Sequence, residues 1–224
     1  MKKFFDLDNP LMQGLAAIAN IMLLSCLWIL FSIPIITVGA STAALYYVTQ
    51  KEVQGENPSI FSGFFKSFRE NLKQGTVLTL IFGAAAALIY YDYLFSYMVE
   101  GLGGSFLRAV FIVFAAVWLM AACYAFPLQA QFVNSVKNTL KNALFIGLAH
   151  PGRTVLLIAV NLIPAAVCLA LPDLFVKLLP VWVFCAPGGI AYICALLRKK
   201  VWASLIGKTQ EAEREKAEIS GEIQ

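Results

Sequence analysis

Residues 20–47 read NIMLLSCLWILFSIPIITVGASTAALYY, and this stretch decides the fold. It is an apolar run that breaks at Ser32-Ile33-Pro34 and restarts after Thr37-Val38-Gly39. Proline has no N–H for the helical ladder, and its ring clashes with the preceding turn, so a helix must stop or kink there. The stretch therefore predicts a helix entering a membrane, a kinked turn, and a shorter second helix over about residues 41–49. Gly39-Ala40-Ser41-Thr42-Ala43-Ala44 is a run of small residues, where another helix can approach closely.

The rest of the chain has the same character. Of 224 residues, 60% are hydrophobic and 13% charged, and the mean hydropathy is +0.76. A soluble domain has about 45–50% apolar and about 25% charged residues. The excess cannot be hidden in a core of this size. It is gathered in continuous runs of about 20 residues, enough to cross a roughly 30 Å hydrocarbon layer as helices. A transmembrane barrel would instead need alternating segments of about 10 residues. The expectation is an all-α polytopic membrane protein of five to six transmembrane segments, with amphipathic interfacial connector helices. Residues 1–200 form one helical membrane domain on this reading, and 201–224 a polar, solvated cytoplasmic tail.

Asp8-Asn9-Pro10 can cap and start the first span, over residues 11–33. In the connector 51–73, Ile60, Phe61, Phe64, Phe65, Phe68 and Leu72 share one helical face. Ser62, Lys66, Arg69, Glu70 and Lys73 take the other. Such a helix suits the membrane interface or the protein's own cytoplasmic side. A third span follows over 76–98, with Tyr90, Tyr91, Tyr93 and Tyr97 near its far end, as interfacial tyrosines sit. A Gly-rich turn (100–105) leads to a fourth span, 106–128, closing at Pro127, with Gln129 and Gln131 at the interface. A second amphipathic connector has Phe132, Val133, Val136, Leu140 and Leu144 on one face. Spans over 154–171 and 175–197 complete the set, the last stopped by Arg198-Lys199-Lys200.

With six segments, fifteen of the seventeen Lys and Arg fall on the side of both termini, leaving Arg108 and Lys177 opposite. With five, the split is thirteen to four. Cations accumulate on the cytoplasmic side. Six segments are preferred, with both termini cytoplasmic and the protein multi-pass in a bacterial cytoplasmic membrane. The net charge of +4 is explained by this topology, and no nucleic-acid partner is expected. The five cysteines lie in apolar runs without a CxxC, as inert thiols do. Leu23-Leu24-Ser25-Cys26 resembles a lipoprotein cleavage box, but the apolar run continues past Cys26, so the N-terminus is expected to be retained.

Candidate polar sites are Asn20, Asp92, Arg108 and Asn161. Asp92 and Arg108 flank the outer hairpin, as an ion or proton site or, more commonly, as an interfacial pair or two water-facing charges. Asn20 and Asn161 need partners if buried, which inter-helix hydrogen bonds or a polar substrate would supply. Helix breaks are expected at Pro34, Gly39, Pro164 and Pro187. His150 is the only histidine, and no ligand set for zinc surrounds it in sequence. No GxSxG, HExxH or GxxxxGK[ST] is present, so neither catalysis nor a cofactor is expected.

Several segments carry a family likeness. They are Phe4-Phe5 with Asn9-Pro10, Asn20, Trp28 through Pro34 to Thr37-Val38-Gly39, and Ser41-Thr42-Ala43-Ala44-Leu45-Tyr46. Phe64-Phe65-Lys66-Ser67-Phe68, Asn71 to Gln74, Tyr124 to Leu128 and Leu140 to Ala143 extend it. The pattern resembles the YesL family of bacterial integral membrane proteins, whose function is unknown. The resemblance implies a cytoplasmic-membrane protein associated with carbohydrate uptake and polysaccharide use, and it supplies no catalytic residues. The expected role is a non-enzymatic accessory or scaffold component linked to carbohydrate uptake or utilisation. Its expected partner is a sugar-transport permease or a membrane sensor. The alternative is a small transporter or channel for a polar solute.

Overall fold

The computed structural model describes residues 10–56 and 58–220, with the side chains of 12, 14–56 and 58–207. The cap expected from Asp8 and Asn9 lies outside the described residues, as do Lys2, Lys3, Phe4 and Phe5. Every described element is helical: α1 Pro10–Ser32, α2 Val38–Gln54, α3 Ile60–Phe95, α4 Gly101–Gln131, α5 Val136–Ala149, α6 Pro151–Ala170, α7 Pro172–Lys177 and α8 Leu179–Ser220. Short 3₁₀ turns cover Ile35–Thr37 and Ser96–Met98. Among the described residues, α1, α3, α4, α6 and α8 are long and apolar enough to cross a membrane. Their outward side chains, such as Leu80, Leu88, Phe106, Val155 and Leu169, are exposed, as lipid-facing residues should be.

The opening stretch folds as its proline dictates. α1 ends at Ser32, and Thr37 stitches the turn by donating its hydroxyl to Phe31 O and Pro34 O, both at 2.7 Å. α2 then returns antiparallel to α1. Ser32 meets Ser41 at 2.6 Å, Trp28 Nε1 donates to Thr42 Oγ1 at 3.0 Å, and Asn20 Nδ2 donates to Glu52 Oε1 at 3.1 Å. α2 is not one of the five long apolar helices. It has 17 residues, about 26 Å of rise, and packs against α1, α3, α4 and α8. Ala40, Ala43, Ala44 and Val48 are fully buried along it. A helix faced by protein on most sides needs no lipid-compatible surface, which accounts for its Ser, Thr and Gln content.

Gly39 is not a break. It sits in the first turn of α2, where its N–H donates to Thr79 Oγ1 on α3 at 2.8 Å. A Cβ there would collide with Thr79 Oγ1 and Gly75 O, and one on Gly75 would lie 2.6 Å from Ala40 N. The small-residue patch thus brings two backbones into contact.

Several sequence expectations are corrected. The amphipathic connector and the third span are a single helix, α3, of 36 residues and about 54 Å. No proline separates Leu72 from Thr76, and Gly75 between them is held in the helix by its contact with α2, so the helix runs on and its first half is not a separate interfacial helix. The expected Gly-rich turn at 100–105 is mostly the first turn of α4; the chain reverses earlier, through the 3₁₀ turn Ser96–Met98, the extended Val99 and Glu100, and Gly101 at φ +75°. Pro127, Pro164 and Pro187 lie inside continuous helices, and at Pro127 a side chain of α8 takes the place of the missing donor. In the second connector Phe132, Val136, Leu140 and Leu144 pack against the core as expected, beside the buried Thr139, Ala143, Ile146 and Gly147, and only Val133, before the helix begins, departs from that face and is fully exposed. Finally, α8 does not end at Arg198-Lys199-Lys200. Val201 and Trp202, placed in the solvated tail by sequence, are buried, and the Trp202 ring packs edge-on against Phe132.

Candidate functional site

The polar centre of the molecule begins with Pro127. It has no N–H to give to the carbonyl of Cys123, one turn back in α4. Arg198 of α8 supplies the missing donor, with Nη1 at 3.0 Å from Cys123 O. Its guanidinium carbon lies 4.6 Å from the centre of the Tyr46 ring of α2, within cation–π range. Arg198 has no exposed surface, and its Nε and Nη2 are buried without hydrogen-bond partners. Among the described residues, the one ion pair is Lys51 with Glu56 at 2.5 Å, so no carboxylate neutralises Arg198. A buried cation without an anion is costly, which makes it the foremost candidate for function.

Other polar groups gather on the same helices. Gln50 Nε2 donates to Pro127 O at a long 3.4 Å, and its Oε1 is buried without a partner. Gln129, expected at the interface, is buried and donates to Asn71 O at 3.4 Å. Tyr124 and Thr154 share a hydrogen bond at 3.1 Å, tying α4 to α6.

Beside this centre lies a groove of about 310 Å³ between α1, α2, α6, α7 and α8. Trp28, Tyr46, Phe175 and Trp182 supply its aromatic walls, and Asn161 with Thr42 its polar edge. The indole Nε1 of Trp182 is buried and without a partner. Tyr46 therefore belongs to both features: its ring walls the groove and carries Arg198.

The predicted residues fall in different places. Asn161 lines the groove and donates to Leu157 O at 2.8 Å and Cys194 Sγ at 3.3 Å. Pro164 and Pro187 line it too. Next to Pro187, Gly188 N donates to Ser25 Oγ of α1 at 2.9 Å. A Cβ on Gly188 would lie 2.5 Å from Ile21 O. Asn20 lies away from the groove, on Glu52. Pro34 lies in the α1–α2 turn. Asp92 and Arg108 are not paired. Asp92 is exposed, whereas Arg108 donates to Ser105 Oγ at 3.0 Å and Ser96 O at 3.4 Å and lies 4.9 Å from the Tyr97 ring. His150 is the joint between α5 and α6. Among the described residues, no three His, Cys, Asp or Glu converge for a metal. Cys123 and Cys194 are buried, and Cys26 and Cys168 face outward.

Sequence reasoning placed Arg198 in a basic stop signal and missed its burial. A signal was there. Ala191, Cys194, Ala195, Arg198, Val201 and Trp202 recur at helical spacing, and all six are buried. Arg198 thus falls on the apolar stripe, with Lys199 and Lys200 exposed.

Comparison with known proteins adds a family. Residues 21–93, from mid-α1 almost to the end of α3, match a family described as "Protein of unknown function, DUF624". The chain is also 26% identical over 163 residues to the uncharacterized protein YesL of Bacillus subtilis (strain 168). That alignment covers 71% of this chain and 77% of its relative. Together these matches support a YesL-family assignment. The DUF624 segment holds the Gly39–Gly75 contact and Tyr46, whereas Arg198 lies beyond it. No solved structure matches the chain.

Proposed function

We propose that this YesL-like chain is a non-enzymatic accessory component of the bacterial cytoplasmic membrane, serving carbohydrate uptake or utilisation by holding a permease or membrane sensor. One observation carries this reading. Between Phe82 and Ser96 on α3, and between Gly104 and Met120 on α4, no residue is buried. These halves form a two-helix arm, joined at its ends by Trp118 Nε1 donating to Phe82 O and Arg108 donating to Ser96 O. Leu88, Tyr91, Ile112 and Phe114 are exposed on it, and a furrow of about 330 Å³ runs between Ala86, Ile89, Phe111 and Ala115. Small residues beside aromatic ones offer a surface on which another transmembrane helix can pack. The bundle centre, by contrast, is filled: Leu24, Ala44, Val48, Phe64, Leu78 and Tyr124 have no exposed surface. Both termini lie on the cytoplasmic side in this reading, supported by the Lys/Arg distribution and the α1–α2 hairpin.

The test is purification of tagged chain in mild detergent from its own host, grown on complex polysaccharide, with mass spectrometry of what accompanies it. A permease or sensor in stoichiometric amount is expected, and a deletion strain should take up sugar more slowly. A clean preparation together with unaltered uptake would overturn the reading. A second reading, a small transporter for a polar solute, is favoured by the unneutralised Arg198. Liposomes carrying the pure chain would then move such a solute.

A further inference from the structure

We propose that the groove beside Tyr46 binds an amphipathic anion, with its apolar body against the aromatic walls and its carboxylate or phosphate paired with Arg198. The inference goes beyond the accessory role and does not depend on any protein partner. It rests on three observations that meet at one ring. Arg198 is completely buried, and two of its donors, Nε and Nη2, have no partner. A guanidinium offers five N–H donors in a planar fork suited to carboxylate or phosphate; here Nη1 is used on Cys123 O, and the Tyr46 phenol lies near enough to interact with the group, while Nε and Nη2 make no hydrogen bond. Arg198 does not itself line the groove, but the Tyr46 ring beneath its guanidinium is a wall of it.

The groove itself sets the rest of the ligand. Trp28, Leu45, Phe175, Pro187 and Ile190 make its lining mostly apolar, which suits an acyl or hydrocarbon body. Trp182 Nε1 is a second unpartnered donor in that lining. Trp28 Nε1 is already used on Thr42, and Asn161 Nδ2 on Leu157 and Cys194. The buried groups left without partners, Trp182 Nε1 in the groove and Arg198 Nε and Nη2 beside it, are all donors and suit an acceptor-rich head. No acidic side chain lines the groove to repel it. Access requires the Tyr46 ring to turn away from the guanidinium, exchanging a cation–π contact for an ion pair. The head could belong to an anionic membrane lipid or to a free organic acid, and the two share this chemistry.

Trp28 and Trp182 supply the readout. The full chain, in uncharged maltoside micelles, would be titrated with 12-bromododecanoate, with phosphatidylglycerol carrying brominated chains, and with uncharged 12-bromododecanol. Bromine quenches nearby tryptophan. Saturable quenching by at least one anion is expected, at concentrations about ten-fold below those the alcohol needs, as a charge-assisted contact implies. Preference for the single-chain acid would indicate a free organic acid, and preference for the glycerolipid a membrane lipid. R198Q should weaken anion quenching by about ten-fold while leaving the alcohol unchanged. N161D, which places a carboxylate at the groove edge and spares the Arg198 bond, should do the same. Equal quenching by alcohol and anions, absence of saturable quenching, or anion affinity untouched in a folded R198Q or N161D would each overturn the proposal.

Discussion

Gly39 of α2 and Gly75 of α3 touch backbone to backbone. A Cβ on Gly75 would stand 2.6 Å from Ala40 N and 2.8 Å from Ala40 Cα. Backbone cannot swing aside as a side chain can, so Gly75→Ala must push the two helices apart. The expected cost is about 1–3 kcal/mol, the usual range for overpacking. Gly39→Ala should cost as much or more, since it also crowds Thr79, which accepts the Gly39 N–H. Gly83→Ala, with open space around the new methyl, is the control and should be neutral or slightly stabilising. Thermal unfolding of the three variants in detergent, followed by tryptophan fluorescence, orders them. Equal midpoints for all three would show that the contact is not tight.

Arg198 and Pro127 should be energetically coupled. Arg198→Met leaves the Cys123 carbonyl without its donor, at a cost of about 1–3 kcal/mol. Pro127→Ala restores a backbone N–H that can reach the same carbonyl. The double variant should therefore be less destabilised than the sum of the two single ones, by about 0.5–3 kcal/mol. Additive behaviour in a double-mutant cycle of unfolding midpoints would separate Arg198 from the proline.

The Asn20–Glu52 hydrogen bond joins the start of the α1–α2 hairpin to its end. Glu52→Gln keeps an acceptor oxygen and removes a half-buried charge. It should leave stability unchanged or raise it slightly, by up to about 1 kcal/mol. Asn20→Leu removes the donor and leaves the carboxylate without that partner, so it should lower stability at neutral pH. The two variants are predicted to differ in sign, and urea unfolding in a mild detergent reads both.

Membrane topology gives a sharper test. Ile35 is 80% exposed at the tip of the α1–α2 turn, and Gly103 and Glu56 are exposed at two other bends. In a cysteine-less background, single cysteines at these positions can be labelled with a membrane-impermeant maleimide on intact cells. Cysteines at 35 and 103 should react from outside and one at 56 only after lysis. Protection at 35 with reaction at 103 would leave α2 on the cytoplasmic side, with five crossings.

Much of this architecture was legible in the sequence. Length and apolarity mark the five long helices, because a lipid-facing surface must be apolar at nearly every position. Pro34 marks the hairpin turn. Less legible were features decided by tertiary contact. α2 has too few apolar residues to stand out because α1, α3, α4 and α8 cover it. The prolines in α4, α6 and α8 look like breaks, yet the helices run through them; at Pro127 Arg198 supplies the missing donor, and beside Pro187 Gly188 N bonds Ser25 Oγ of α1. Arg198 was misread because a basic triplet at the end of a span usually reports topology. Only the three- and four-residue spacing of the buried positions around it tells it apart from Lys199 and Lys200.

The continuity of α3 has a mechanical consequence. From Ile60 to Phe95 the helix rises about 54 Å, whereas a bilayer with its headgroups is about 40–45 Å thick. As one continuous helix it is a rod packed on α2 along its first part, where Phe64, Gly75 and Leu78 are buried, and on Trp118 and Phe126 at Phe82, with the arm beyond. Phe61 lies about 32 Å to one side of Phe82 and Tyr93 about 17 Å to the other. Because α2 is fixed to the same rod at Gly39–Gly75, a tilt of about 10° that carries Tyr93 by roughly 3 Å must carry Phe61, and α2 with it, by roughly 5 Å in the opposite sense. A push on one face of the membrane would be felt on the other, without any change within the helix itself.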